Sequence, residues 1–100
     1  MRKVIVRYKV KPDRVAENEE LVRAVYEELH RTKPAGLRYA TFRLEDGVSF
    51  MHLAATDGER SPLGDVEAFK RFTANVEERC DEPPAVTRVE EIGSYGVFGD

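Results

Sequence analysis

Few side chains in this chain of 100 residues have types suited to chemistry. The two histidines are His30 and His52, the single cysteine is Cys80, and Tyr8 is a phenol in the first stretch of alternating residues. His52 could serve as a general acid or base, and Tyr8 could hold or donate a proton beside a pocket. We therefore take Tyr8 and His52 as the candidate catalytic residues. The alternative for His52 is a partly buried, hydrogen-bonded imidazole at an interface between subunits.

The sequence gives no pattern for a metal site or a disulfide. A single cysteine cannot form an intramolecular disulfide, and the usual metal sites need two or more Cys or paired His residues. His30 falls in the last turn of a predicted helix, where a positive charge suits the helix dipole. Cys80 falls on an apolar stripe, which is typical of a buried and inert thiol. We expect neither a metal nor a cofactor.

Composition and charge argue against several classes of function. Apolar residues make up 41% of the chain and charged residues 35%, as in an average soluble globular domain. The 16 basic and 19 acidic residues are interleaved and give a net charge of −3, which provides no basic surface for nucleic acid. The start of the chain alternates apolar and charged residues, unlike a signal peptide. We expect one domain over residues 1–100, a cytoplasmic location, and no nucleic-acid or membrane partner.

Hydrophobic periodicity predicts six elements that would position these side chains. In chain order they are a strand (2–10), a helix (14–33), two strands joined by a tight turn (37–44 and 48–56), a helix (65–81) and a strand (85–92). The order β-α-β-β-α-β is the ferredoxin-like arrangement, an α+β fold. We expect a four-stranded antiparallel sheet of order 4-1-3-2 with both helices on one face and right-handed crossovers.

The turn at Asp46-Gly47 sets the pairing of the predicted hairpin. It places Phe42 opposite Met51 and Thr41 opposite His52. The hairpin face that carries Phe42 and Met51 is strongly apolar, so we expect the helices to cover it. The face that carries His52 would then be the open face of the sheet.

In this assignment a cleft between the sheet and the helices would have an apolar lining. Its expected lining residues are Val6, Tyr8, Phe42, Met51, Leu53, Phe69, Phe72 and Val76. Tyr8 would be the main polar group there. Tyr8 and His52 would lie on opposite faces of the sheet, so they would not share one site.

An open sheet face with apolar side chains predicts a homodimer, because exposed apolar patches usually mark interfaces. The residues expected on that face are Ile5, Leu37, Tyr39, Phe50 and Val89. A second copy packed on this face would close a barrel. The glycine-rich tail with Tyr95 and Phe98 could then reach across to the partner.

Three segments together carry a resemblance to a known family: MRKVIVRYKVKPDR, GLRYATFRLEDGVSFMHLAATDG and PLGDVEAFKRFTANVEERCDEPP. They resemble the dimeric α+β barrel superfamily, and within it the small bacterial proteins of the antibiotic biosynthesis monooxygenase type. The resemblance implies a homodimer with one ligand cleft in each subunit. Some members of the superfamily oxidise phenols or quinols with O₂ and use neither metal nor flavin.

Other members degrade haem with an Asn on the first strand, a Trp after the third strand and a His on the second helix. The matching positions here hold Val6 and Ala55, and the second helix has no His. Two functions therefore stay open: a homodimer that binds a small apolar or aromatic ligand or another partner, and a cofactor-independent monooxygenase acting on a small aromatic or quinol. The sequence does not decide whether the protein is an enzyme.

Overall fold

The computed structural model describes residues 1–97. Its elements are β1 (Arg2–Val10), α1 (Val15–Thr32), β2 (Leu37–Arg43), β3 (Ser49–Thr56), α2 (Glu67–Ala74), α3 (Val76–Arg79) and β4 (Cys80–Val89), with short 3₁₀ turns at Pro12–Arg14 and Pro62–Asp65. The four strands form one antiparallel sheet in the order β2-β3-β1-β4. This is the predicted order 4-1-3-2 counted from the other edge. The ferredoxin-like α+β fold is therefore confirmed.

The hairpin of β2 and β3 has the predicted pairing. Phe42 lies opposite Met51, and Thr41 lies opposite His52. The Asp46 carboxylate, within the turn, accepts hydrogen bonds from the Ser49 amide and hydroxyl at 2.8 and 2.6 Å. These bonds hold the pKa of Asp46 well below its ordinary value, at about 2, because they stabilise the charged form.

The helices cover the other face of this hairpin from the one predicted. In the register of β1 against β3, Tyr8 lies opposite Phe50 and Val6 lies opposite His52, and α1 and α2 pack on these residues. Phe42 therefore lies on the open face, where half of its surface (50%) is exposed.

Met51 and Leu53 alternate with His52 along β3 and share the open face with Phe42. The prediction that these three residues line the cleft, and that His52 lies on the open face, is wrong. Both faces of the hairpin carry large apolar side chains, so hydrophobicity alone does not distinguish them. The polar side chains decide, because a buried hydroxyl or imidazole needs a partner and α1 supplies partners on the His52 side only.

Three of the residues expected on the open face lie instead on the helix-covered face. Leu37, Tyr39 and Phe50 pack against the helix-covered core. Ile5 alternates with Val6 and Val4 along β1, so it lies on the open face as expected. The tail after β4 leaves Tyr95 almost fully exposed (95%), and Phe98 lies outside the described residues.

The last helix and the last strand also differ from the prediction. The helix is split at Asn75 and ends at Arg79, and β4 begins at once with Cys80. Pro83 and Pro84 lie within β4 instead of ending a helix. They are tolerated because β4 is an edge strand, where a missing N–H on the outer side removes no bond, and because the pairing of β4 with β1 shifts register between Glu82 and Ala85. Cys80 is buried as predicted, but it lies on a strand.

The position of α2 is set by a carboxylate from α1. Glu28 accepts hydrogen bonds from the backbone amides of Glu67 and Ala68, at 3.1 and 2.9 Å. The first turn of α2 has no capping bond from its own preceding residue, Val66, so Glu28 supplies the missing acceptor. The two backbone bonds lower the pKa of Glu28. This cap fixes α2 above the sheet, where the helix covers the site described next.

Candidate functional site

A cavity of about 300 Å³ lies between the helix-covered face of the sheet and α2. It runs along β1 from Arg2 to Tyr8, and its wall is mainly apolar. This volume is at the small end of the range for small-molecule sites. The residues from the predicted lining that do line it are Val6, Tyr8, Phe69, Phe72 and Val76.

The structure adds His52 and Tyr39 to the wall of this cavity. The imidazole of His52 is buried (3% exposed). Its Nε2 lies 2.8 Å from the Tyr8 hydroxyl, and its Nδ1 lies 2.7 Å from the Tyr39 hydroxyl and 2.8 Å from the Thr41 hydroxyl. The two candidate catalytic residues, predicted on opposite faces, are therefore direct hydrogen-bond partners. That prediction failed for the same reason as the hairpin face on which it was based.

The hydrogen bonds continue from Tyr8 into the helices. The Asn18 amide nitrogen on α1 donates to the Tyr8 oxygen at 3.0 Å, and the Arg79 Nε donates to the Asn18 carbonyl oxygen at 3.2 Å. Arg79 also donates to the backbone oxygen of Phe72 at 2.6 Å. We call this series of hydrogen-bonded side chains, Arg79–Asn18–Tyr8–His52, the polar relay. It crosses the core from the end of α3 to the middle of β3.

Asn18 and Arg79 were missed by sequence reasoning, although the sequence does carry a signal for Asn18. Along α1 the apolar stripe falls at Val15, Val22 and Val25, and Asn18 occupies the one place on that stripe held by a polar residue. A polar side chain inside a helical stripe must find a buried partner. The sequence carries no comparable signal for Arg79, because basic residues are common at the end of a helix.

Aromatic rings fix the orientation of the imidazole. The His52 ring lies 5.4 Å from the Tyr8 ring, 5.6 Å from the Tyr39 ring and 5.4 Å from the Phe72 ring, centroid to centroid. Phe50 stacks on Tyr8 from the other side at 5.6 Å. Contacts at these distances are favourable beyond the apolar area that they bury. The ring is therefore held by packing as well as by hydrogen bonds.

Burial also determines the charge state of the cluster. It lowers the pKa of His52 to about 4, so the imidazole is neutral at pH 7. Burial raises the pKa of Tyr8 and Tyr39 well above the ordinary value of a phenol, so both stay protonated. The site thus offers one neutral imidazole and two phenols as hydrogen-bonding groups. It can accept or pass a proton, and it holds no anion of its own.

Other chemistry finds little support in the described part of the chain. Within residues 1–97, no three His, Cys, Asp or Glu side chains come together as metal ligands. His30 is exposed near the end of α1. Burial raises the pKa of the Cys80 thiol, which disfavours the reactive thiolate. No helix in the described residues is both long and apolar enough to span a membrane.

Comparisons with known proteins give matches among solved structures only. No family model and no curated protein matches the sequence. A crystal structure of an antibiotic biosynthesis monooxygenase is 21% identical, with a TM-score of 0.70 over 93% of this chain and 100% of that chain. The protein Rv0793 from Mycobacterium tuberculosis is 22% identical, with a TM-score of 0.66 over 93% and 96% of the two chains.

A third similar structure is NE2512, a protein of unknown function from Nitrosomonas europaea. It is 16% identical, with a TM-score of 0.73 over 94% of this chain and 91% of that chain. At identities this low, the similarity shows a shared fold and does not show a shared substrate or activity. The resemblance seen in the sequence is thus confirmed at the level of structure: the chain has the α+β fold of the antibiotic biosynthesis monooxygenase-type proteins.

Proposed function

We propose that this protein binds a small, largely apolar or aromatic molecule in the cavity between the sheet and α2. The observation that supports the proposal is the combination of an apolar wall with a few converging polar groups, His52, Tyr8 and Tyr39. That combination is typical of small-molecule sites, where apolar contacts give affinity and polar groups fix orientation. A molecule the size of a bicyclic aromatic fits a volume of about 300 Å³.

Filling the cavity should weaken binding. Val86 lies on the edge strand β4, lines the cavity and is largely exposed, so a larger side chain can enter the cavity from there without displacing the core. We expect Val86→Trp to weaken binding of 1-naphthol at least about tenfold, because the indole takes the volume that the ligand needs. Ligand-observed NMR titration measures the affinity.

Asp81→Trp is the matched control, since it places the same indole at an exposed position of the same strand, outside the cavity lining. It should bind 1-naphthol as the unmodified protein does. Equal binding by the Val86→Trp protein would place the ligand elsewhere. If neither 1-naphthol nor a panel of mono- and bicyclic aromatics binds the unmodified protein, the proposed function is wrong.

The second candidate is a cofactor-independent monooxygenase acting on a small aromatic or quinol. The observation that favours it is the direct hydrogen bond between Tyr8 and a neutral His52 at the wall of the cavity. Because the Tyr8 hydroxyl lies between the cavity and Nε2, a neutral imidazole can accept a proton from a bound molecule by way of that phenol. O₂ consumption with a naphthoquinol tests this candidate.

If the candidate is correct, Tyr8→Phe and His52→Gln should each lower the rate at least about a hundredfold, the usual scale for a lost acid or base. Tyr95→Phe, which removes an exposed phenol outside the cavity lining, should leave the rate unchanged. Turnover that is unchanged in both cavity variants would exclude both residues from the chemistry.

We also propose that two copies pack through the open face of the sheet. Phe42, Met51, Leu53 and Ile5 share that face, and half of the Phe42 surface is exposed. The tail after β4 adds exposed apolar side chains at Ile92 and Tyr95. Apolar surface of this kind on a small domain favours an interface.

A further inference from the structure

The charge of Arg79 is unusual for a buried group. The side chain is 1% exposed, and no carboxylate among residues 1–97 lies within 4 Å of its nitrogens. Its partners are neutral: the Asn18 carbonyl, the Phe72 backbone oxygen, and the face of the Phe72 ring at 5.4 Å. Glu17 on α1 acts on the guanidinium only at longer range. Burying a charge without an ion-pair partner is costly, so the arrangement calls for an explanation beyond stability.

An explanation comes from the direction in which each hydrogen bond must run. A guanidinium has only donors, so the Asn18 atom that faces Arg79 must be the carbonyl oxygen. The amide nitrogen of Asn18 therefore faces Tyr8, and it can only donate. This fixes the orientation of an amide that would otherwise be ambiguous.

The same reasoning extends to the imidazole. Because the Tyr8 oxygen already accepts from Asn18, its own proton must find an acceptor inside the core. The His52 Nε2, at 2.8 Å, is that acceptor. The reverse arrangement, with Nε2–H donating to Tyr8, would leave the Tyr8 proton without an acceptor among the described residues, which is unfavourable for a side chain that is 3% exposed.

We propose that Arg79, acting through Asn18 and Tyr8, sets the tautomer of His52, so that the neutral ring carries its proton on Nδ1 and keeps Nε2 as an acceptor. Arg79 and Asn18 are thus positioning residues for the imidazole. The Nδ1 proton is donated to the hydroxyl of Tyr39 or Thr41. Thr41 lies in turn 2.7 Å from the Tyr26 hydroxyl, so the directed bonds continue toward the rim of the helix layer.

The direction of these hydrogen bonds limits which molecules can bind to Tyr8 from the cavity. Tyr8 accepts one bond from Asn18 and gives its proton to His52, so one lone pair on its oxygen is left. A bound molecule that reaches Tyr8 must therefore donate a hydrogen bond, through an O–H or N–H group. The tautomer itself is a property of the protein alone and does not depend on the proposed ligand.

Asn18→Asp tests the proposal because it reverses the relay. A carboxylate accepts from Arg79 and also accepts the Tyr8 proton, so the Tyr8 oxygen becomes free to accept from His52. We expect the His52 ring to change from Nδ1–H in the unmodified protein to Nε2–H in the variant, each preferred by on the order of tenfold or more. Long-range ¹H–¹⁵N correlation spectra at pH 7 distinguish the two forms through the ring nitrogen shifts.

Asn75→Asp is the matched control, because it makes the same change of charge at an exposed position between α2 and α3. Its His52 signals should match those of the unmodified protein. Tyr8→Phe gives a second test if Asn18→Asp fails to fold, since removal of the phenol should leave a mixture of both tautomers. The proposal is overturned if the unmodified protein shows Nε2–H, or if His52 in a folded Asn18→Asp or Tyr8→Phe protein keeps its Nδ1–H form.

Discussion

Lowering the pH from 7 to 5 should reduce the free energy of unfolding by about 2 kcal/mol, and His52 should be the main cause. The pKa of this imidazole is about 4 in the folded protein, against 6.5 for the free side chain. Below pH 6.5 the unfolded chain binds a proton that the folded chain does not. The contribution of His52 to stability is therefore complete above pH 6.5 and declines as the pH falls toward 4. Below pH 6.5 the free energy of unfolding falls by about 1.4 kcal/mol for each pH unit. The fall from pH 6.5 to pH 5 therefore amounts to about 2 kcal/mol.

The window between pH 7 and pH 5 separates His52 from the acidic residues. The pKa values of Asp46 and Glu28 are lowered on folding from ordinary values of 3.8 and 4.5. Their contributions are present above those ordinary values and are lost only at lower pH. Urea unfolding at pH 7, 6 and 5, at one fixed protein concentration, measures the slope.

His52→Gln should flatten this slope, whatever stability the variant loses at pH 7. The control is His30→Gln, which removes the exposed histidine of α1 and should keep the slope of the unmodified protein. A His52→Gln protein that loses stability with falling pH as steeply as the unmodified protein would show that the buried imidazole is not responsible.

Strand pairing was predictable in this chain because local signals determine it. The Asp46-Gly47 turn fixes the register of β2 against β3, and strict alternation marks β1. The element order then leaves very few possible sheets, and the observed order is among them. These features depend on neighbours in sequence, which periodicity describes well.

The choice of face was not predictable from periodicity. Phe42 and Met51 form a more apolar pair than Thr41 and His52, yet the polar pair lies on the helix-covered face, where His52 is buried, and Phe42 is exposed. The deciding contacts join residues far apart in the chain: Tyr8 to Asn18 and to His52, and Asn18 to Arg79. Only the complete set of partners makes burial of His52 favourable. The hydrophobicity of a single strand contains no information about partners on other elements.

The sequence therefore predicted only part of the site. Tyr8 and His52 were identified as the side chains suited to chemistry, and five cavity residues were placed correctly. Their direct contact depends on the face of the hairpin and was missed. The start of β4 at Cys80 was missed too, because Pro83 and Pro84 normally end a helix or strand unless the strand lies at an edge.

Phe42→Glu should convert a homodimer into single chains. The open face of the sheet carries Phe42 beside Met51, and half of the phenylalanine surface is exposed in the single chain. If two copies meet through this face, the ring becomes a buried aromatic anchor, the kind of residue that dominates binding energy at interfaces. A glutamate on each copy would bury two negative charges in the interface without partners. We expect association to weaken at least about a hundredfold.

Native mass spectrometry and sedimentation equilibrium at micromolar concentration measure the result. The unmodified protein should have the mass of two chains, and Phe42→Glu the mass of one. Ala16→Glu adds the same charge at an exposed position on α1, away from the sheet, and should remain dimeric. A single-chain mass for the unmodified protein would refute the interface, and a dimeric Phe42→Glu protein would place it on another surface. Because the cavity opens on the helix side of the sheet, loss of the dimer should leave 1-naphthol binding intact, which separates assembly from ligand recognition.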